Sequence, residues 1–277
     1  MTESPSTVRA HPAAEATPSP TTAGHRTVTG NTDTTDEYPR TDFNVPTRGL
    51  KRARWDRESV HAILDAGWIC HLGFVREGRP VVLPTLYARR GECLYVHGST
   101  GSRPLRAAGN PEGLPVCVTV THVDGVVLAK SAFHHSVNHR SVVVHGTARQ
   151  VTDPAERARA LDALVDQAVP GRSADCRPAD AREAAATAVL AIDLTEVSAK
   201  VREGGPNDEP GDLSLPHWSG VLPIHTVRGV PVPADAREAA RPVPAYLASA
   251  DGNGPGLGQD QPRDRRQQED GTGDGGG

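Results

Sequence analysis

Short apolar runs separated by glycine-containing turns occupy the middle of the chain. Gly78 and Gly91 lie where tight turns between the first three runs need a positive φ, which predicts an antiparallel meander. The linkers between most runs are too short for the crossovers that a parallel sheet requires. The runs cover residues 68–75, 81–87, 93–97, 114–123, 126–129, 141–151, 187–194 and 197–201.

Two amphipathic stretches predict helices beside these strands. Asp56 can cap a short helix whose apolar residues fall on one face. Residues 154–168 predict a longer helix, with Asp153 as N-cap and Pro154 at the first helical position. Short antiparallel strands close best as a small barrel, because closure removes exposed edges. The predicted fold class is α+β, mainly β with flanking helices.

The two ends of the chain differ from the middle in composition. Residues 1–44 are rich in Thr, Pro, Ser and Ala, and residues 248–277 are rich in Gly, Asp, Gln and Arg. Neither end can bury enough apolar surface to offset chain entropy. We therefore expect two disordered tails around one domain of residues 45–247.

Charge and hydropathy argue against several classes of protein. The net charge is −4 and the pI is about 6.3, which gives no support to general nucleic-acid binding. No apolar run resembles a signal peptide, and none approaches the roughly 20 residues of a membrane helix. We expect a cytoplasmic protein that binds neither nucleic acid nor membrane.

Cysteine and histidine spacings do not indicate a metal site. Cys70, Cys93, Cys117 and Cys176 are scattered, and the first three lie in predicted strands, where a thiol behaves as a small apolar group. Histidines are concentrated between residues 61 and 145, but no HExxH or HxH spacing occurs. We predict no metal cluster, while a single axial histidine for haem remains open.

A polar segment between apolar runs is the first candidate for a site. In DGVVLAKSAFHHSVNHRSVVVHG, residues 124–146, two apolar runs flank a stretch rich in His, Ser, Asn and Arg. So many polar groups need partners if they are buried. The segment fits either a ligand site on a sheet scaffold or a polar surface loop, and the residue types do not decide between them.

The sequence HGSTGSR at residues 97–103 is the second candidate. Ser99, Thr100 and Ser102 offer hydroxyls, Gly98 and Gly101 a permissive backbone, and Arg103 a planar cation. These are the parts of a phosphate-binding loop. A glycine and serine turn with a solvated arginine has the same composition, so the two interpretations stand side by side.

The second candidate matches no standard nucleotide-binding motif, and the sequence has no catalytic-serine motif. Residues 97–103 match neither GxxxxGK[ST] nor GxGxxG, and no GxSxG surrounds any of the serines. The catalytic residues, if the protein is an enzyme, are therefore unknown.

Three blocks of this sequence resemble a known family. The segment GWICHLGFVREGRPVVLPTLYARRGECLYVHGSTGSR, the segment VCVTVTHVDGVVLAKSAFHHSVNHRSVVVHGTARQV, and a helix followed by SAKVREGGPNDE and HWSGVLP occur in order. They are similar to the pyridoxamine 5′-phosphate oxidase-related, flavin-nucleotide-binding proteins, over roughly residues 43–247. The branch that includes nitroimidazole-resistance reductases is the most similar. The resemblance implies an FMN-binding split β-barrel that forms a homodimer, with the cofactor at the interface.

The resemblance also implies which residues contact the cofactor. The strand at Pro84, Thr85, Leu86 and Tyr87 would line the isoalloxazine ring, chiefly through its backbone. His97, Gly98, Ser99, Ser102 and Arg103 would hold the phosphate, in agreement with the chemistry of that loop. Arg140 and Ser141 would lie near the flavin, although relatives often carry Tyr where this chain has His139. Trp218 would approach the flavin from the partner subunit. His134, His135 and Trp218 are our candidates for substrate contact, and the alternative role of the two histidines is to support the dimer cleft through hydrogen bonds.

Family membership leaves three functions open. The first is an FMN-dependent oxidoreductase acting on a small molecule, since flavin itself supplies the redox chemistry. The second is a non-catalytic flavin or haem carrier or sensor, favoured by the many histidines. The third is a reductase that uses deazaflavin. A true pyridoxamine phosphate oxidase is not expected, because the region around Trp218 has few cations.

Overall fold

A computed structural model describes residues 36–248 of the chain. Most of the two predicted tails, residues 1–35 and 249–277, lies outside these residues. The strands are β1 Ala53–Arg54, β2 Ile69–Arg76, β3 Arg79–Arg90, β4 Cys93–Ser99, β5 Leu114–Leu128, β6 Ser136–Gln150, β7 Thr187–Asp193, β8 Glu196–Arg202 and β9 Gly220–Pro223. The helices are α1 Arg57–Asp65, α2 Arg103–Ala107, α3 Pro154–Ala168, α4 Ala181–Ala186, α5 Ala236–Ala239 and α6 Ala245–Ala248.

Six strands pair in a closed ring, in the order β6, β7, β4, β3, β2 and β5. The pairings in the sheet are antiparallel, and β5 closes the ring against β6. Outside the ring, β8 and β1 extend the sheet from β6, and β9 extends it from β5. The prediction of a mainly antiparallel, split β-barrel with flanking helices is confirmed.

Apolar side chains from alternate positions of the strands fill the interior of the ring. In β5, Val116, Val118 and Val120 point inward and are buried, whereas Cys117 and Thr119 between them are partly exposed. In β7, residues 188–192 are buried on both sides, because Leu190 and Ile192 face the ring interior while Val189 and Ala191 face α3. The second layer explains why this strand is apolar without alternation.

The helices begin at the residues that the sequence predicts. Asp56 accepts a hydrogen bond from the Ser59 N–H at 2.7 Å, and Asp153 accepts one from the Glu156 N–H at 2.7 Å. Pro154 occupies the first turn of α3, where no intrahelical donor is needed. No helix within residues 36–248 combines the length and apolar character needed to cross a membrane.

Two predicted boundaries differ from the structure. The predicted runs 114–123 and 126–129 form one strand, β5, which ends at Leu128 and has a register irregularity between Val123 and Gly125 instead of a turn. The strand β6 begins at Ser136, so much of the polar segment is paired with β5 and is not a loop. An Asp-Gly pair fits a bulge as well as a turn, and polar side chains on the outer side of a strand cost nothing in pairing.

Packed structure begins before residue 45, the boundary that composition predicts. Tyr38 is only 2% exposed, and its hydroxyl donates to Glu92 Oε2 at 2.8 Å. Asn44 is also buried, and its Nδ2 donates to the carbonyl oxygen of Pro39 at 2.8 Å. The segment from residue 36 onward is therefore part of the domain.

Candidate functional site

The ring opens between β3 and β4 at one end. The two strands pair from Tyr87 with Val96 to Arg90 with Cys93. Beyond Tyr87, β3 pairs with β2 along Arg79–Leu86, while His97–Ser99 of β4 pair with β7. Among the described residues the two strands therefore separate beyond the Tyr87–Val96 pair, which leaves a free edge of β3 beside the start of the His97–Arg103 loop.

The His97–Arg103 loop presents donors that its own backbone does not use. The Ser102 N–H donates to the Ser99 carbonyl at 2.8 Å, and the Gly101 N–H donates to Ser99 Oγ at 3.2 Å. Ser102 is the N-cap of α2, yet its hydroxyl makes no capping bond. Arg103 is exposed and forms no ion pair with any residue between 36 and 248. A hydroxyl and a guanidinium are thus available to an oxyanion.

Glycine is needed at one position of this loop for packing. A Cβ at Gly98 would lie 3.1 Å from Leu105 Cδ1, so the backbone of the loop rests on the buried Leu105 of α2. The short helix therefore holds the loop in place from below, and a larger side chain at Gly98 would push the loop away from it.

His97 carries a buried polar atom without a partner. Its ring is half-buried, and Nδ1 has no hydrogen-bond partner among the described residues. Burial lowers the pKa of His97, which favours the neutral ring at pH 7. An unpaired buried nitrogen costs free energy unless something bonds to it, so this atom fits a site that a ligand completes.

The predicted ring-binding strand divides between two environments. Pro84 lies on the outer side of β3, opposite His71 of β2, and Leu86 lies opposite Ile69. Tyr87 belongs to the interior: its ring is fully buried, and its hydroxyl donates to the Leu64 carbonyl. Tyr87 can therefore reach a ligand only through its backbone, as the resemblance implies for this strand.

Arg140 and Ser141 point to opposite sides of β6. Arg140 donates from Nε and Nη2 to the two carboxylate oxygens of Asp124, each at 2.9 Å. The Ser141 hydroxyl is on the outer side and donates weakly to the Lys200 carbonyl at 3.4 Å. Of these two side chains, only that of Ser141 lies on the same outer side of the sheet as Pro84.

One chain does not bring Ser141 and the His97–Arg103 loop together. Only β7 lies between β6 and β4 in the ring, but β6 pairs with β7 at Arg149 and Gln150, far along the strand from Ser141. At ~3.4 Å per residue, the stretch from Ser141 to Arg149 spans roughly 27 Å along β6. A ligand that contacts both groups must therefore be long, or must lie between two chains.

His134, His135 and Trp218 group at the far end of the β5–β6 hairpin. His134 Nε2 lies 3.7 Å from Glu209 Oε1, and His135 Nδ1 is 3.0 Å from the Ser131 carbonyl oxygen. Trp218 is 68% exposed, and its ring lies against Gly220 of β9. His134 and His135 lie in the segment that joins β5 to β6, and Trp218 lies just before β9, which pairs with the end of β5.

An exposed apolar surface beside the opening was missed by the sequence reasoning. We call it the outer sheet face: it consists of Ile69, His71 and Val75 of β2 and Val82 and Pro84 of β3, which share one side of the sheet. Val82 is 62% exposed. The sequence WICHLGFV could have predicted this surface, because successive side chains of a strand point to opposite sides of the sheet. Since Cys70 and Leu72 are buried, His71 between them must face outward.

The geometry fits a planar ligand with an anionic tail. The outer sheet face offers a flat apolar surface, and the His97–Arg103 loop beside it offers donors and a cation. A flavin has an aromatic ring system and a phosphate, so the residues present fit this group. His71 adds an exposed imidazole in the middle of the face.

Comparisons with known proteins match this chain over most of the described region. A family model described as pyridoxamine 5′-phosphate oxidase matches residues 56–201, more than half of the chain. The flavocytochrome Anf3 from Azotobacter vinelandii is 37% identical, with a TM-score of 0.70, over 76% of this chain and 96% of that chain.

Two further structures extend the comparison. The FAD and haem binding protein from Mycobacterium smegmatis is 38% identical, with a TM-score of 0.68, over 73% of this chain and 98% of that chain. A protein named for 5-nitroimidazole antibiotic resistance, from Bacteroides thetaiotaomicron, is 20% identical over 54% of this chain and 86% of that chain, and its TM-score of 0.45 is too low to carry a functional inference. No curated protein matches the chain.

Proposed function

Because the chain belongs to the pyridoxamine 5′-phosphate oxidase family of flavin-binding proteins, we propose that it binds a flavin at the opening between β3 and β4. The flavin phosphate is held by Ser99, Ser102 and Arg103, and His97 Nδ1 bonds to the same ligand. The single observation that carries this proposal is the loop itself, in which a hydroxyl, a guanidinium and a buried ring nitrogen all lack partners among residues 36–248.

Two flavins fit this loop, since each carries a phosphate next to its ribityl chain. The resemblance found in the sequence implies FMN, whereas the Mycobacterium smegmatis relative is a FAD and haem binding protein. The loop supplies one compact group of donors, and FAD must place its second phosphate and adenosine elsewhere. The flavin released by denaturation, separated by chromatography, distinguishes the two.

When bound, flavin supplies hydride and electron transfer to a small-molecule substrate. The protein binds and orients it: the loop holds the phosphate, and Pro84 and Leu86 shape the surface on which the ring lies. Ser141 and the exposed His135 are polar groups that position the substrate. The activity is that of an oxidoreductase, with its catalytic residues still to be assigned.

A second cofactor is favoured by one observation. His71 is exposed on the outer sheet face among apolar neighbours, with Pro84 and Thr119 opposite it on the adjacent strands. An imidazole on a flat apolar surface is an axial ligand of the kind that haem uses. Two relatives more than 30% identical to this chain are a flavocytochrome and a FAD and haem binding protein. We propose that His71 binds haem iron in this chain.

A second copy of the chain covers the outer sheet face. Exposed apolar groups of this size on one sheet side are costly in water, and a two-fold dimer buries them reciprocally. The substitution Val82→Asp is expected to shift the protein from dimer to monomer in sedimentation analysis, with an unchanged circular dichroism spectrum. A wild-type protein that sediments as a monomer at all concentrations would overturn this arrangement.

The visible spectrum of the purified protein tests the function directly. Flavin bands, with FMN or FAD released on denaturation, are expected, together with a Soret band that disappears in His71→Ala. His135→Ala, a second exposed histidine outside the face, is the matched control and keeps the Soret band. A protein that neither contains flavin nor binds added FMN or FAD would contradict the proposal.

A further inference from the structure

Cations without carboxylate partners gather on the edge formed by β1, β6 and β8. The β6–β8 ladder places His139 opposite Arg202 and Ser141 opposite Lys200. The strand β1 pairs with Lys200 and brings the preceding Arg52 to the same edge. The His97–Arg103 loop follows β4, which β7 joins to β6 only near Arg149 and Gln150, whereas these cations lie at the other end of β6. The group is therefore a separate feature.

Arg202 is a buried cation with an unused donor. It is 9% exposed, and its Nη1 donates to Asn138 Oδ1 and to the Gly204 carbonyl, while Nη2 donates to the Gly205 carbonyl at 3.1 Å. Its Nε is buried and has no partner in the described part of the chain. Neutral oxygens therefore surround this charge, and a buried charge without an anion is costly.

Lys200 and Arg52 extend the positive charge toward solvent. The Lys200 side chain lies over Gly49, where a Cβ would be 3.5 Å from Cε, and Gly49 adopts a positive φ of 72° at the start of the Leu50–Arg52 turn. No carboxylate of residues 36–248 lies within 4.0 Å of either cation. The charged groups of Lys200 and Arg52 are therefore both available to a ligand.

The pKa of His139, on the strand beside these cations, reflects their positive charge as well as its burial. Burial, followed by repulsion from Lys200, Arg52 and Arg202, lowers the pKa of His139, and Asp124 offsets only part of this effect. Asp124 is already bound by two nitrogens of Arg140. Asp124 is therefore committed to Arg140, and no carboxylate among residues 36–248 forms an ion pair with Arg52, Lys200 or Arg202.

We propose that Arg52, Lys200 and Arg202 form an anion site that takes a phosphate or diphosphate group. Guanidinium groups match the oxygens of phosphate in geometry, and an ammonium adds a mobile point charge. The Ser141 hydroxyl and the neutral His139 ring lie beside the cations and supply weaker contacts. The site goes beyond the proposed flavin site, in which the His97–Arg103 loop holds the phosphate.

Inorganic pyrophosphate is the probe that tests the site. Calorimetric titration into the full-length purified protein is expected to show binding that weakens steeply between low and physiological salt. The substitutions Lys200→Gln and Arg52→Gln are each expected to weaken binding roughly tenfold or more, since each removes a charge-assisted contact. Both residues lack intrachain ion pairs in the described structure, so the fold is expected to persist, as checked by melting temperature.

Two control variants make the result specific. Arg54→Gln removes an exposed arginine that follows Arg52 on β1 and donates to the carbonyls of Lys51 and Ala53, and it should bind pyrophosphate as the wild type does. Arg103→Ala should lose flavin while keeping this binding. Wild-type protein without pyrophosphate binding, or Lys200→Gln and Arg52→Gln variants that bind it normally, would overturn the proposal.

The same titration identifies where the phosphate comes from. If a bound cofactor supplies it, pyrophosphate displaces flavin from the wild type, and displacement needs more pyrophosphate in Lys200→Gln. If a free phosphorylated ligand supplies it, pyrophosphate binds while the flavin absorption stays with the protein. Both results support the site, and both differ from the loss of flavin in Arg103→Ala.

Discussion

The ring interior and the outer sheet face are formed by the same strands, yet only one is completed within the chain. In β2, Cys70 and Leu72 are buried in the interior, while Ile69, His71 and Val75 between and beyond them face outward. The interior positions meet side chains from the opposite strands of the ring. The outward positions meet no layer of comparable size among the described residues, except near Leu86, where α3 packs.

This difference separates the residues that stabilise the fold from the residues that are available for binding. Interior groups contribute to the free energy of unfolding, because their burial is complete in one chain. In the proposed complexes, outward groups contribute when the ligand or second copy binds. Substitutions on the two sides of one strand should therefore affect different measurements.

The largest expected effect is loss of an interior side chain. Leu190→Ala in β7 removes a fully buried residue and should lower the free energy of unfolding by ~2–5 kcal/mol. Urea unfolding of dilute protein measures it. Val82→Ala on the outer sheet face is the matched control and should change stability by less than ~0.5 kcal/mol. Equal losses at the two positions would show that the outer face is also structural.

Arg103→Ala should affect binding and leave stability unchanged. A charge-assisted bond to phosphate is worth ~1.5–3 kcal/mol, so flavin affinity is expected to fall by about tenfold or more. Fluorescence titration of flavin-free protein measures the dissociation constant. Arg106→Ala, another exposed arginine of α2, should bind flavin like the wild type. Unchanged affinity in Arg103→Ala would mean that the loop does not hold the phosphate.

Tyr38→Phe tests whether the interior extends into the segment before residue 45. The hydroxyl is buried and bonds to Glu92, and burial, the bond to Glu92 and its negative charge raise the pKa of Tyr38, so the proton stays in place. Its loss should lower the free energy of unfolding by ~1 kcal/mol. Tyr246→Phe, which loses a solvent-exposed bond to Asp175, should cost less. The reverse order would show that this segment adds little to the domain.

Glu156→Gln is the smallest expected effect, and it depends on pH. The hydrogen bond from Arg149 holds the pKa of Glu156 below its usual range, against burial and with help from Tyr95. Because the pKa of Glu156 is lower in the folded protein, the ion pair stabilises the fold at pH values above the ordinary glutamate pKa of ~4.3. This contribution is lost as the pH falls through the pKa of the folded state.

The expected loss in Glu156→Gln is therefore less than ~1 kcal/mol at pH 7 and vanishes in strong acid. Chemical unfolding at several pH values measures it. Glu112→Gln, at an exposed glutamate of the loop before β5, should show no such convergence. A difference between Glu156→Gln and wild type that stays constant down to strong acid would exclude the ion pair as its cause.

Local patterns predicted the fold well, because alternation and caps are properties of neighbouring residues. The turn at Gly78 and the caps Asp56 and Asp153 were identified on that basis and are confirmed. Gly125 was assigned to a turn, yet it lies in a strand, where a Cβ would approach the Leu222 carbonyl oxygen of β9 to 3.1 Å. Close approach of another strand requires glycine as a turn does, and the sequence alone does not distinguish the two.

The candidate site was predictable in its parts but not in its assembly. The chemistry of Ser99, Ser102 and Arg103 was readable from residue types. That Arg140 is bound to Asp124, and that Ser141 lies far along β6 from the end that approaches the loop, follows from ring closure and register. Arg52, just before β1, and the cations on β8 are more than a hundred residues apart in sequence, so no local pattern joins them.

The sequence of β3 at its free edge disfavours aggregation through strand pairing with other molecules. Pro80 and Pro84 are four residues apart in β3, so their backbone nitrogens face the same edge of the strand, and that edge lacks two N–H donors. Since β2 covers one edge with a continuous ladder, the prolines are accommodated on the other. An edge without donors is a poor template for a strand from another molecule. The opening in the ring can therefore stay exposed, ready for a ligand, without becoming a site of strand-to-strand aggregation.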